Sequence, residues 1–98
     1  MDYLVRIFKS VANETRVRLL EVLLDSKEET LESLSKALNL PYKTVSRNLN
    51  ILEKAMLVRN QRWEGKVYYS VETSTRLIYG REILKLIKKR KLRKRKQF

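Results

Sequence analysis

Lys43, Ser46, Arg47, Asn50 and Lys54 fall at i, i+3, i+4, i+7 and i+11. If this stretch is helical, the spacing draws them into one stripe. These side chains hydrogen-bond phosphate oxygens and nucleobase edges, and no carboxylate interrupts them. Tyr42 and Thr44 extend the set at its N-terminal end. Catalytic chemistry is poorly supplied by comparison. The chain contains no His and no Cys, which removes the commonest general base, disulfides and thiolate or imidazole metal sites. No paired-carboxylate arrangement accompanies a pocket signature, so the sequence points away from an enzyme and calls for no cofactor and no metal.

A solvated helix face would carry a similar stripe, so the surrounding elements decide between the readings. Leu4, Ile7, Phe8 and Val11 repeat at i, i+3, i+4 and i+7 and predict a first helix of about three turns. Asn13 offers an N-cap, and Leu19, Leu20, Leu23 and Leu24 give a second helix, from Glu14 to about Asp25, a broad apolar face. Thr30 caps a short third helix carrying Leu31, Leu34 and Leu38. Asn39-Leu40-Pro41 breaks the pattern, with Pro41 where a missing N–H costs nothing, and the fourth helix runs over about 42–55. Its inner face is Val45, Leu49, Leu52 and Met56, opposite the polar stripe.

Two β-prone runs follow, Leu57-Val58-Arg59 and Val67-Tyr68-Tyr69-Ser70-Val71, separated by a turn containing Glu64-Gly65. They predict a hairpin over about 59–71 that packs through Val58 and Tyr68, with Arg62 and Lys66 flanking its tip. Trp63 either covers the hairpin or a dimer core, or stands exposed as a contact. From about Thr73 a last helix places Leu77, Gly80, Leu84 and Ile87 on one stripe. Gly80 either permits close helix approach or marks a break. The fold is mostly α with a small β-hairpin, a winged helix-turn-helix in the order α-α-α-α-β-β-α. The apolar stripes at the two ends, Leu4, Ile7, Phe8 and Leu77, Gly80, Leu84, Ile87, lie outside the compact unit and suit a second copy of the chain.

Ninety-eight residues, 43% of them hydrophobic, suffice for one domain. No apolar run approaches the roughly 20 residues that span a bilayer, so the expected setting is cytoplasmic and nucleoid-associated, with no membrane partner. The charge is uneven. Residues 88–96 hold eight basic side chains and no acidic one, so only +4 of the net +12 belongs to the rest of the chain. This divides the chain into a domain over 1–87, with the terminal dimerisation helices, and a basic tail over 88–98 that suits a polyanion.

Three stretches carry a more specific resemblance. Residues 11–20 (VANETRVRLL), 44–52 (TVSRNLNIL) and 65–71 (GKVYYSV) resemble, in order, the second-helix opening, recognition helix and wing strand of the ArsR-type winged-helix regulators of bacteria and archaea. The resemblance covers most of residues 3–71. It implies a homodimer formed through the first and last helices that binds double-stranded DNA in prokaryotic cells or their viruses, most simply as a repressor. Asn48 stands where a His is common, and Met56 where a Gly usually ends the recognition helix. Metal sensing in the family uses Cys on the third helix, or His and acidic residues on the last; the missing Cys and His leave that property behind.

In such a protein the fourth helix enters the major groove. Arg47 and Asn50 either read guanine and adenine or hold phosphates, Lys43 holds phosphate, and Arg62 and Lys66 reach phosphates or the minor groove. Lys88, Lys89 and Arg90, with the rest of the tail, either add sequence-independent affinity or form a solvated extension. Two other functions fit the same residues: an architectural protein that coats DNA with little preference, and a winged-helix interaction module whose basic stripe serves an acidic protein or an anionic membrane.

Overall fold

The computed structural model describes residues 2–73 and 78–96, the last two as backbone. Helices α1 (Tyr3–Val11) and α2 (Glu14–Asp25) begin at side-chain caps: Asp2 accepts from the Leu4 amide at 2.8 Å and Asn13 from the Arg16 amide at 3.1 Å. A two-residue strand β1 (Glu29–Thr30) leads into α3 (Leu31–Leu38), where Thr30 and Ser33 form a reciprocal capping box. Then come α4 (Tyr42–Lys54), β2 (Val58–Trp63), β3 (Lys66–Val71) and α5 (Ile78–Lys96).

The sheet is antiparallel in the order β1-β3-β2. Its first strand is absent from the sequence-based order because two residues carry no alternation to read; Glu29 and Thr30 pair with Tyr69 and Tyr68. The β2–β3 turn is Glu64-Gly65, with φ of 47° and 78°, the two-residue left-handed turn whose twist suits a hairpin. The inward residue of the wing is Tyr69, packed with Val71 against the core, and not Tyr68. Register explains the change: Tyr69 opposes Asn60, two positions from Val58, so it shares the face of the buried valine.

The core joins Leu19, Leu20 and Leu23 of α2 to Leu34 of α3, Val45, Leu49 and Leu52 of α4, and Leu57 and Val58. Each fully buried leucine of this set contributes about 1.5–3 kcal/mol through removal from water. Met56 leaves the predicted inner face of α4. It adopts φ 59° just after the helix, its amide bonding Glu53 O at 2.9 Å while the Leu57 amide bonds Leu52 O at 3.0 Å. This pair of bonds closes a helix end through a left-handed residue, the position that favours glycine.

The last helix departs most from expectation. Ile7, Leu84 and Ile87 are buried within this chain, with Gly80, because α5 lies along α1 and α2. The stripe assigned to a partner is therefore largely spent inside the protomer, leaving half-buried Leu4 and exposed Phe8 of that set; Leu77 lies outside the described residues. Gly80 sits inside a continuous helix, not at a break. Nor does a separate tail begin at residue 88, since α5 continues to Lys96 and turns Arg90 and Lys91 onto α2. Arg90 holds Glu14 at 2.5 Å and approaches Glu21 at 3.7 Å, and Lys91 pairs with Asp25 and donates to Glu21 O at 2.8 Å.

Candidate nucleic-acid interface

The turn that aims α4 is fixed by hydrogen bonds at both ends. Asn39 takes φ 55°, which its short polar side chain tolerates, and the Leu40 amide bonds Ser35 O at 3.1 Å. The Ser35 hydroxyl donates to Leu40 O. Pro41 then starts α4 with extended backbone, and the Val45 amide closes the first turn on Pro41 O at 3.1 Å. No side chain caps this N-terminus, and its first turn contains no acidic residue. The outward amides and the helix dipole thus favour an anion at the end where Tyr42 and Lys43 stand exposed.

Along the helix, Lys43, Ser46, Arg47, Asn50 and Lys54 are all exposed, while Val45, Leu49 and Leu52 are buried beneath them. Thr44 is half-buried. The one acidic side chain of α4, Glu53, is half-buried and accepts from Asn60 Nδ2 at 2.5 Å, away from the cationic stripe and onto the wing. Glu53 also helps to raise the Tyr69 hydroxyl pKa above 10.0, after the larger effect of burial.

A residue absent from the sequence-based site orients this helix. Arg16 of α2 donates through Nε to Ser10 O at 2.5 Å and through Nη2 to Lys9 O at 3.3 Å, closing the C-terminal end of α1. Its Nη1 donates to Asn48 Oδ1 at 3.0 Å, while Asn48 Nδ2 donates to Thr44 O at 2.9 Å. Asn48 is thereby a bracket between α2 and α4, facing inward and not towards a ligand. The sequence signal was present in the stretch 11–20, but nothing local announces an arginine that reaches 32 residues ahead. Arg6 and Lys9 were also missed. With Arg16, Ser10, Ile51 and Lys54 they line a groove of about 580 Å³ between α1 and α4, which carries the positive surface beyond the helix.

The wing brings fewer of its candidates together. Lys66 pairs with Trp63 and Arg62 with Val67, so the two cations leave the ribbon on opposite faces. Trp63 is 67% exposed beside the turn and covers no core. Its face also carries Gln61, Tyr68 and Arg59, whose Nε bonds Ser70 Oγ at 3.3 Å. Lys88 and Lys89 are exposed on α5, whereas Arg90 is already engaged by Glu14 and Glu21.

The family model described as "Bacterial regulatory protein, arsR family" matches residues 13–60, from the α2 cap through the helix-turn-helix into β2. Over this stretch the chain is similar to that family, and its fold is a winged helix-turn-helix. HlyU of Vibrio cholerae is similar over 87% of each chain, with 29% identity and a TM-score of 0.73. A Mycobacterium bovis domain, described as a homodimeric winged helix-turn-helix DNA-binding domain, superposes with a TM-score of 0.75. It covers 98% of this chain and 82% of that one; at 24% identity it speaks for the fold. An HTH-type transcriptional regulator of Methanocaldococcus jannaschii is 35% identical over 69 residues, 69% of this chain. This chain spans only 18% of that relative's length. Among the described residues no helix is long and apolar enough to cross a membrane, and no cluster of acidic residues is grouped to hold a metal.

Proposed function

We propose that this chain is an ArsR-family, sequence-specific double-stranded DNA-binding repressor that acts as a homodimer. The observation that carries the reading is the exposed, carboxylate-free stripe of α4, held at a fixed angle by the Arg16–Asn48 bracket. Arg47 and Asn50 sit in the middle of the stripe, where bidentate bonds to guanine and adenine discriminate bases; Lys43 and Lys54 at its ends suit phosphates. Trp63 and Lys66 at the wing tip, and Arg62 on the other face, suit the flanking backbone. The absence of Cys and His from the sequence points to control by something other than a soft-metal ion.

Dimerisation is supported by a revised patch. Val5, Phe8, Tyr79 and Leu86 are exposed apolar residues on the two helices the family uses, and the Tyr3–Tyr79 ring contact at 6.2 Å brings the starts of those helices together. The homodimeric description of the mycobacterial domain agrees. Two α4 helices in such a dimer lie about 34–36 Å apart and read an inverted repeat.

The test is selection of sheared DNA at about 150 mM salt with excess nonspecific competitor, followed by sequencing. Recovery of an inverted-repeat motif supports the proposal. Uniform recovery refutes sequence-specific binding in favour of an architectural role, and no recovery favours an acidic protein partner.

A further inference from the structure

The basic outer side of α5 has no place in a complex made through α4. Glu14, Glu21 and Asp25, which hold Arg90 and Lys91, fall within about 40° of one another around α2, whereas Arg16, which holds α4, lies roughly 180° away. Helix α2 thus separates α5 from the recognition helix. On α5, Arg81, Lys85, Lys88 and Lys89 are exposed beyond the side packed on α2, the first three along a groove shared with Leu24 and Val71, while Arg93 stands two turns from Leu86 on the side of the dimer patch. Two acidic residues stand beside them: Glu82, in an exposed 3.4 Å pair with Lys85 that offsets little, and Glu72, across the groove from Arg81, Lys85 and Lys88. At 0.15 M salt the Debye length is about 8 Å, so these cations act chiefly on a phosphate backbone lying directly on α5.

We propose that the outer side of α5 is a second, sequence-independent docking surface for a DNA duplex, so that one protein joins two duplexes. Its chemistry suits a phosphate backbone. The row is rich in lysine, which protein interfaces deplete at their centres, and affinity for polyphosphate needs only cations that release counterions. Leu92 is the one exposed apolar residue of its C-terminal half, too little to anchor a helix in lipid. The surface goes beyond the proposed repressor function and does not depend on the specificity of α4. Arg90 and Lys91 are latch residues that hold the helix in place.

The test uses two 30-base-pair random-sequence duplexes carrying a donor and an acceptor fluorophore, with the full chain at about 150 mM salt. Energy transfer reports joining, and anisotropy of one duplex reports single-duplex affinity. The triple variant Lys85→Gln, Lys88→Gln, Lys89→Gln keeps the latch and the apolar patch, and unchanged helical circular dichroism checks its fold. Joining is expected to fall at least tenfold, while single-duplex affinity moves less than threefold. Loss of three phosphate contacts lowers the log–log salt slope of joining by about 2.7. No transfer with the wild type overturns the proposal. Equal loss of joining and single-duplex affinity also overturns it, because the helix then clamps the same duplex. Transfer that survives the triple variant but is lost in Arg47→Ala, Asn50→Ala assigns joining to the two recognition helices of a dimer. Wild-type binding to phosphatidylserine vesicles without energy transfer assigns the surface to a membrane. Uniform DNA recovery in the selection above leaves the expected transfer unchanged, so the two proposals fail separately.

Discussion

Arg16→Ala is expected to destabilise the domain by about 2–3 kcal/mol, from three charge-assisted hydrogen bonds at the lower end of their range, discounted because Arg16 is half-buried. The deletion strands Ser10 O and Lys9 O at the end of α1 and leaves Asn48 Oδ1 without its donor. For a domain of this size the loss corresponds to a fall in Tm of roughly 10–20 °C. Arg16→Lys should recover only part of it, because a point-like ammonium cannot reach three acceptors that the flat guanidinium meets together. The assay is urea denaturation followed by circular dichroism, with DNA affinity of each variant measured well below its midpoint. Affinity should drop more than stability alone explains, since α4 loses its link to α2. A stability loss under about 1 kcal/mol, or a lysine variant equal to wild type, refutes the bracket.

Met56→Gly relieves left-handed backbone at φ 59° but frees the unfolded chain, for a net gain of about 0.5–1 kcal/mol measurable as a Tm rise of a few degrees. The hydrogen bond from Arg90 holds the Glu14 pKa below 4.5, with the charge of Arg90 adding to it. Glu14 therefore contributes stability that is present above the unfolded pKa and lost as the pH falls through the lower folded value; unfolding measured from pH 6 to 2.5 should show this loss, and Glu14→Gln should remove it. Arg47→Ala should flatten base preference at one operator position by about 1–3 kcal/mol in competition binding. Lys43→Ala should instead weaken all sequences alike and lower the salt slope by about 0.9.

The helices were legible where a local pattern determined them. Asn13 and Thr30 marked two starts, Pro41 marked the recognition helix, and the periodic leucines marked the buried faces. The exposed stripe of α4 was legible for the same reason, since 3.6-residue periodicity separates its charged side from Val45, Leu49 and Leu52. Pairing across the chain was not legible. Strand β1 exists because Tyr68 and Tyr69 offer it an edge, and Arg16 meets Asn48 only once three helices have packed.

The last helix shows how far composition can mislead about placement. Eight basic residues read as a tail because like charges repel, and nothing in residues 88–96 supplies an acid. The acids are on α2, at Glu14, Glu21 and Asp25, spaced by seven and four residues so that they share one face. Once Leu84 and Ile87 bury against the body, that face lies beneath Arg90 and Lys91, and the helix is carried on through the cationic run. The same packing turns Arg81, Lys85, Lys88 and Lys89 outward. The latch and the outward row are thus two sides of one helix, divided by which residues α2 can neutralise. Reversing the charge of Glu14 and Asp25 to Lys should therefore release the C-terminal turns of α5, seen as lost helical ellipticity. If helicity is retained, the latch does not hold them.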